Sequence, residues 1–184
     1  MKNLPELLAP AGSPEALLAA IEAGADAVYL GASLFSNRMR ARNFDESELK
    51  DALRLCKLFG VAAYITMNTR LRDRELTEAL ELAKRLHSYG ATAFIVADVG
   101  LAALMRENIP GVRLHASTQM TGQSSLDGRA LKSLGFERMV CPRELSREEL
   151  FRLVKDSPIE IEVFGHGALC MCYSGQCYMS AMIG

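Results

Sequence analysis

The chain has no run of about 18 consecutive apolar residues, the length a membrane-spanning helix needs. Its start, Met1-Lys2-Asn3-Leu4-Pro5-Glu6, lacks the apolar core of a secretory signal. Together these predict a cytosolic protein with no membrane partner. An excess of either charge is also missing: 21 Lys and Arg stand against 22 Asp and Glu, for a net charge of −1. That balance excludes a broad, sequence-blind grip on nucleic acid but leaves room for a local basic patch. There is no low-complexity stretch and no linker. Neither a His-Glu-x-x-His helix nor a Gly-x-Ser-x-Gly elbow occurs, which removes two common hydrolytic centres.

What is present is 184 residues that are 49% apolar and 23% charged, enough for one well-buried core. Short apolar runs alternate with helical periodicity throughout. Strands are expected at Leu7–Ala9, Ala27–Leu30, Val61–Met67, Ala93–Ala97, Arg113–Ala116, Arg138–Cys141 and Ile159–Phe164. Helices are expected between them, beginning at Pro14, Asp45, Arg74, Gly100, Ser125 and Ser146. Ser13-Pro14 supplies a cap and a first-turn proline. Ser146-Arg147-Glu148-Glu149 reads as a capping box, and Gly24, Gly60, Gly90 and Gly135 stand where helices should stop. Such alternation gives a parallel sheet with right-handed crossovers. The nucleotide-binding glycine fingerprint is absent after the first strand, where Ala11-Gly12-Ser13-Pro14 stands instead. Seven strands in this length favour a TIM-like (β/α) barrel over a doubly wound sheet. An eighth strand is missing, so the reading is one barrel domain over residues 1–184, truncated before closure and the N-terminal part of a longer protein.

Function in such a barrel gathers where strands end and helices begin. Those positions carry Asn68, His115, Glu144 and His166. Each could equally cap a helix or hold a backbone carbonyl, although a histidine there can serve as acid, base or electrophile. Arg38, Arg40 and Arg42 follow the second strand, and Arg70, Arg72 and Arg74 the third. Cations ahead of a helix N-terminus oppose its dipole, so an anionic ligand explains them better than helix stability does; solvated loops are the alternative.

Of five cysteines, Cys170, Cys172 and Cys177 lie within eight residues. Clustered thiols in a reducing compartment suit zinc or an iron–sulfur cluster, although this spacing is neither a zinc-ribbon nor a ferredoxin spacing. Buried thiols packing as small hydrophobes are the competing reading, which Cys56 in mid-helix fits; Cys141, before Pro142, is undecided.

The stretch Glu162-Val163-Phe164-Gly165-His166-Gly167-Ala168-Leu169-Cys170, followed by Ser174-Gly175-Gln176-Cys177 and Ser180, resembles the signature of the collagenase-like U32 peptidases. Glu6-Leu7-Leu8-Ala9-Pro10-Ala11-Gly12-Ser13, Gly24-Ala25-Asp26-Ala27-Val28-Tyr29-Leu30-Gly31, Arg40-Ala41-Arg42-Asn43-Phe44, His115-Ala116-Ser117-Thr118-Gln119 and Arg143-Glu144-Leu145-Ser146 extend the likeness along the chain. The resemblance implies a TIM-like barrel and a [4Fe–4S] cluster on four cysteines, of which Cys170 and Cys177 match the first two; Cys172 is extra and a possible spare ligand. It also implies hydroxylation of a base in tRNA or rRNA, with prephenate as oxygen donor, or a part in oxygen-independent ubiquinone synthesis. His115, Glu144 and His166 are then the catalytic candidates. Arg38, Arg40, Arg42 and Asn68 are the substrate-binding ones, for RNA or a small dicarboxylate. Proteolysis is the alternative activity, and a non-enzymatic module closed by a second chain is a third. With part of the ligand set present, the tail from Gly167 onward is expected to be poorly anchored.

Overall fold

In the computed structural model, which describes residues 4–36, 44–167 and 172–176, strands and helices alternate as the periodicity requires. The strands are β1 (Leu8–Ala11), β2 (Ala27–Gly31), β3 (Ala62–Met67), β4 (Ala93–Val96), β5 (Leu114–Ala116), β6 (Arg138–Val140) and β7 (Glu160–Glu162). Between them run α1 (Pro14–Glu22), α2 (Glu46–Phe59), α3 (Asp73–Tyr89), α4 (Val99–Asn108), α5 (Ser125–Ser133) and α6 (Arg147–Asp156). The seven strands pair in chain order and all in parallel.

Local chemistry fixes the helix ends. Ser13 Oγ accepts from the Ala16 N–H ahead of Pro14. Asp45 and Glu48 exchange side-chain bonds with each other's backbone N–H groups, as do Ser146 and Glu149. Each such cap satisfies orphan donors and contributes about 1 kcal/mol. Gly60 takes φ 70° and Gly90 φ 111° to end α2 and α3, a conformation that other residues enter at a cost.

The two faces of the sheet differ. Val28, Leu30, Ile65, Met67, Phe94, Val96, Leu114 and Met139 point outward and join Leu17, Leu53, Leu86, Leu101 and Leu131 of the helices in the main core. Burying one such side chain contributes about 1.5–3 kcal/mol. Ala27, Tyr64, Ala93 and Ile95 form a second cluster on the inner face. The sheet is curled enough for residues far apart in strand order to meet: Arg138 of β6 reaches Glu6, just ahead of β1, at 2.7 Å. The architecture is the TIM-like one, with β1 and β7 as the sheet's two edges among the described residues.

Three details depart from expectation. β1 extends through Pro10, which an edge strand tolerates because its missing N–H need face no partner. β7 spans only Glu160–Glu162 rather than Ile159–Phe164. A 3₁₀ turn, Thr118–Met120, follows β5 where no helix was foreseen. Among the described residues no helix is long and apolar enough to cross a membrane.

Candidate active site at the carboxyl ends of the strands

The inner face holds a buried polar cluster toward the amino ends of the strands. Arg138 opens β6, and its side chain is only 10% exposed. Its Nη1 donates to Glu6 at 2.7 Å and its Nη2 lies 2.7 Å from Glu160. Glu162 stands 3.6 Å away, at ion-pair but not hydrogen-bond distance. The Tyr64 hydroxyl donates to Glu6 at 2.9 Å, and burial with that carboxylate beside it pushes the phenol up to about 12. Desolvation raises the Glu162 carboxyl above its usual range, and Arg138 opposes that rise. One guanidinium thus faces three carboxylates, so the floor of the barrel is electronegative.

His115 stands beside this cluster, opposite Arg138 in the β5–β6 register. The sequence places it in the mouth; the structure places it inside β5, fully buried, with its ring edge-on to Tyr64 at 4.7 Å. Neither ring nitrogen has a hydrogen-bond partner among the described residues. Desolvation, with the Arg138 and Arg113 charges adding to it, holds the imidazole down to about 3, so it is neutral near pH 7. A neutral ring offers one donor and one acceptor.

The mouth is built from the residues after the strands. Asn68 follows β3 and its side-chain amide donates to Ser117 Oγ after β5, at 3.4 Å. Ser36 and Thr66 share a buried hydrogen bond of 2.9 Å. Arg38, Arg40 and Arg42 lie outside the described residues. The two flanks of their loop are fixed, however, because Ser33 donates to Phe44 and Phe44 to Gly31 at the end of β2. Arg70, Arg72 and Arg74 are exposed at the end of β3. Asp98 holds that loop by accepting from the Leu71 N–H while it caps α4.

Cys170 and Cys177 also lie outside the described residues, but the segment between them, Cys172–Gln176, is placed. It is clamped on the β5 and β6 loops. Ser174 is buried, its N–H donates to Glu144 at 2.5 Å, and its Oγ accepts from the Arg143 N–H at 3.2 Å. Gly175 has φ 81°, and a Cβ there would stand 2.3 Å from the Thr118 carbonyl oxygen. Only glycine permits that approach. The expectation of a poorly anchored tail fails for these five residues, because two hydrogen bonds and a glycine contact hold them on the barrel. Glu144 is accordingly engaged as a backbone acceptor. Desolvation pushes its carboxyl up, but the Ser174 N–H, its own backbone N–H, the Ser174 hydroxyl and the Arg143 charge together outweigh that and hold it below the usual range.

Of the remaining cysteines, Cys56 and Cys141 are buried in the main core, and burial pushes each thiol up to about 11. Protonated thiols of that kind are not ready ligands. Cys172 is half-buried beside the clamp. His166 is exposed after β7. Among the described residues no three His, Cys, Asp or Glu side chains are grouped to hold a metal. Asn68, Glu144, His166 and Cys172 therefore share the mouth, whereas His115 lies beneath it. Sequence reasoning did not single out Tyr64, Arg138, Glu160 or Glu162 as an inner cluster. The usable signal was a charge inside each of two short strands, Arg138 in Arg138-Met139-Val140 and alternate Glu160 and Glu162 in Glu160-Ile161-Glu162, in a parallel sheet covered by helices.

A parallel, sequentially paired and curled α/β sheet, with its polar loops and a thiol-bearing segment at the carboxyl ends, defines a barrel-type protein with its site at that end. The model of the peptidase family U32 matches residues 12–184, and the chain belongs to that family. The tRNA hydroxylation protein P of Haemophilus influenzae is 36% identical over 97% of this chain and 39% of its own length. The 23S rRNA 5-hydroxycytidine C2501 synthase of Escherichia coli is 39% identical over 95% of this chain and 26% of its own length. The collagenase of Porphyromonas gingivalis is 36% identical over 95% and 44%. The chain thus spans less than half the length of these curated relatives. The solved U32 peptidase Mk0906 shares the fold, with a TM-score of 0.72 at 13% identity over 89% of this chain and 69% of that one.

Proposed function

We propose that this chain is the barrel portion of an iron–sulfur-dependent enzyme that hydroxylates a base in tRNA or rRNA, with prephenate as the oxygen donor. The observation that carries the reading is the 36% and 39% identity, over at least 95% of the chain, to relatives named for tRNA hydroxylation and for 5-hydroxycytidine synthesis in 23S rRNA. Thiol chemistry at the mouth supports it. Cys170 and Cys177, with Cys172 beside them, are soft ligands on either side of a segment that the fold clamps over the strand ends. Such a cluster, when bound, supplies one-electron chemistry that no amino-acid side chain here offers. The buried thiols of Cys56 and Cys141 take no part.

Electrostatics divides the barrel between substrates. Arg138 is already matched by Glu6, Glu160 and Glu162, so a dicarboxylate such as prephenate is repelled from the floor. Its place is at the mouth, with Arg38, Arg40 and Arg42 after β2 and the exposed Arg70, Arg72 and Arg74 after β3. Asn68, partly exposed at the mouth, binds by hydrogen bonding rather than charge, as an uncharged base requires; His115, fully buried beneath it, does not touch the base.

The test is genetic and chemical. Deleting the full-length gene should remove one hydroxylated nucleoside from digests of total tRNA or rRNA, read by mass spectrometry. Reconstituting the full-length protein with iron and sulfide should give absorption near ~400 nm, as thiolate-bound iron–sulfur centres do. Cys170→Ala should abolish the colour and Cys56→Ala should leave it. An unchanged nucleoside profile together with a colourless protein sinks the proposal. The collagenase relative favours a second reading, a U32-type peptidase, which requires gelatin or casein cleavage by metal-free protein.

A further inference from the structure

We propose that Phe164 and Arg143 form a stacking shelf at the barrel mouth for one unpaired nucleobase of a single-stranded RNA segment. The inference rests on the RNA reading above and assigns a place to part of that substrate. Phe164 lies two residues beyond β7 and is 43% exposed. It belongs to neither hydrophobic cluster, so core packing does not account for an aromatic ring there. The Arg143 guanidinium lies over this ring, 3.7 Å from its centroid, within the range of a cation–π contact. The arginine is held from behind, because its N–H donates to Ser174 Oγ at 3.2 Å.

The groove containing the pair runs between the β6–α6 loop and the segment after β7. Pro142, Leu145, Val163 and His166 also line it, and no acidic residue does. Among the described residues Arg143 forms no salt bridge. The shelf therefore joins an aromatic ring to a guanidinium with no ion-pair partner among the described residues, although the Glu144 carboxylate beside it feels the Arg143 charge. An apolar protein segment laid over it would bury an unpaired guanidinium, which is costly. A nucleotide brings both a π-face for the ring and a phosphate for the guanidinium, and unpaired RNA bases are commonly held by aromatic and arginine planes. The clamped segment Cys172–Gln176 touches the same Arg143, which puts the shelf beside the segment that carries Cys172.

The experiment uses the full-length protein and fluorescein-labelled eight-nucleotide oligocytidylate, with an abasic strand of equal length as control. The parent should bind the base-bearing strand at least about fivefold more tightly, the lower bound for stacking one base. It should also quench 2-aminopurine placed in that strand. Phe164→Leu should lose both the preference and the quenching while binding the abasic strand as before. Arg143→Gln should lower the salt dependence by about one phosphate contact. If Phe164→Leu keeps the preference, or the parent shows no preference and no quenching, the shelf is wrong even though RNA binding stands. If Phe164→Leu loses thermal stability with the preference intact, the ring packs against protein and the shelf is equally wrong. If the parent binds neither strand and hydroxylates no RNA, the reading beneath it has failed and the shelf falls with it.

Discussion

Replacing Gly175 with Ala should detach the segment between the cysteines from the barrel. Two effects add at this position. The backbone sits at φ 81°, where a residue with a Cβ loses about 1–2 kcal/mol. The new Cβ would also stand 2.3 Å from the Thr118 carbonyl oxygen and 3.0 Å from Gln119 Cα. Both are backbone atoms of the 3₁₀ turn Thr118–Met120, so no side chain can swing aside. Relief requires the segment to lift, which surrenders the bonds from Ser174 N–H to Glu144 and from Arg143 N–H to Ser174 Oγ. Glu144 is exposed, so its charge-assisted bond belongs at the lower end of its range, about 1.5 kcal/mol. The opening free energy of the segment should fall by about 1.5–3 kcal/mol in all, which converts to about 10- to 150-fold faster exchange of the Ser174 amide hydrogen. Hydrogen exchange read by mass spectrometry on a peptide covering Cys172–Gln176 measures this directly. Glu144→Gln should move the same amide in the same direction by less. Exchange unchanged in Gly175→Ala refutes the clamp.

Arg138→Met should destabilise the protein by about 1–3 kcal/mol, because the half-buried Glu162 then loses its cation; a denaturant midpoint within error of the parent's contradicts this. Acid sensitivity should trace in part to His115. Its folded value near 3 lies below the ordinary 6.5, so the unfolded chain holds more protons in between. Stability is full above about pH 6.5 and is lost as pH falls, at up to about 1.4 kcal/mol per pH unit. Glu162, raised above 4.5, opposes this just above that pH because there the folded state holds the extra proton. His115→Phe keeps a ring against Tyr64, and its stability should fall less between pH 6.5 and 5 than the parent's; an equal fall refutes the assignment. In alkylation with iodoacetamide, Cys56 and Cys141 should react far more slowly than Cys172, since their thiols are pushed up to about 11 in the core; equal rates contradict their burial.

Much of the architecture was legible because local signals and tertiary packing agree. Asp45, Ser146 and Ser13-Pro14 mark helix starts that the structure confirms to within a residue. Sequential parallel pairing follows from strand–helix alternation alone. The mouth was legible as a set of strand-end positions, which Asn68, Glu144 and His166 occupy. The depth of His115 was not. In a three-residue strand, one residue separates a position inside the barrel from one above it, and boundary readings are no finer than that. The work of Glu144 was also hidden, because its partner, the Ser174 amide, lies 30 residues away and belongs to backbone that no side-chain pattern reports. Gly175 is the converse case: its place in the tail signature is visible in the sequence, but its reason, the Thr118 carbonyl, exists only in three dimensions.

The order of strand pairing bears on how the chain is made. Each strand from β2 to β7 hydrogen-bonds to its immediate predecessor, so every new βα unit leaving the ribosome finds its docking edge already built. Such nearest-neighbour growth keeps sequence separations short and favours rapid assembly. The clasp between Glu6 and Arg138 is the exception, since it joins residues 132 apart. It cannot form until six strands have been synthesised, and Glu6 must wait beside β1 through all of that time. The polar floor therefore serves as a late checkpoint in biogenesis: a nascent sheet with the wrong curl leaves Arg138 with only Glu160 and Glu162 of the neighbouring strand, and only the correctly curved one brings Glu6 to it.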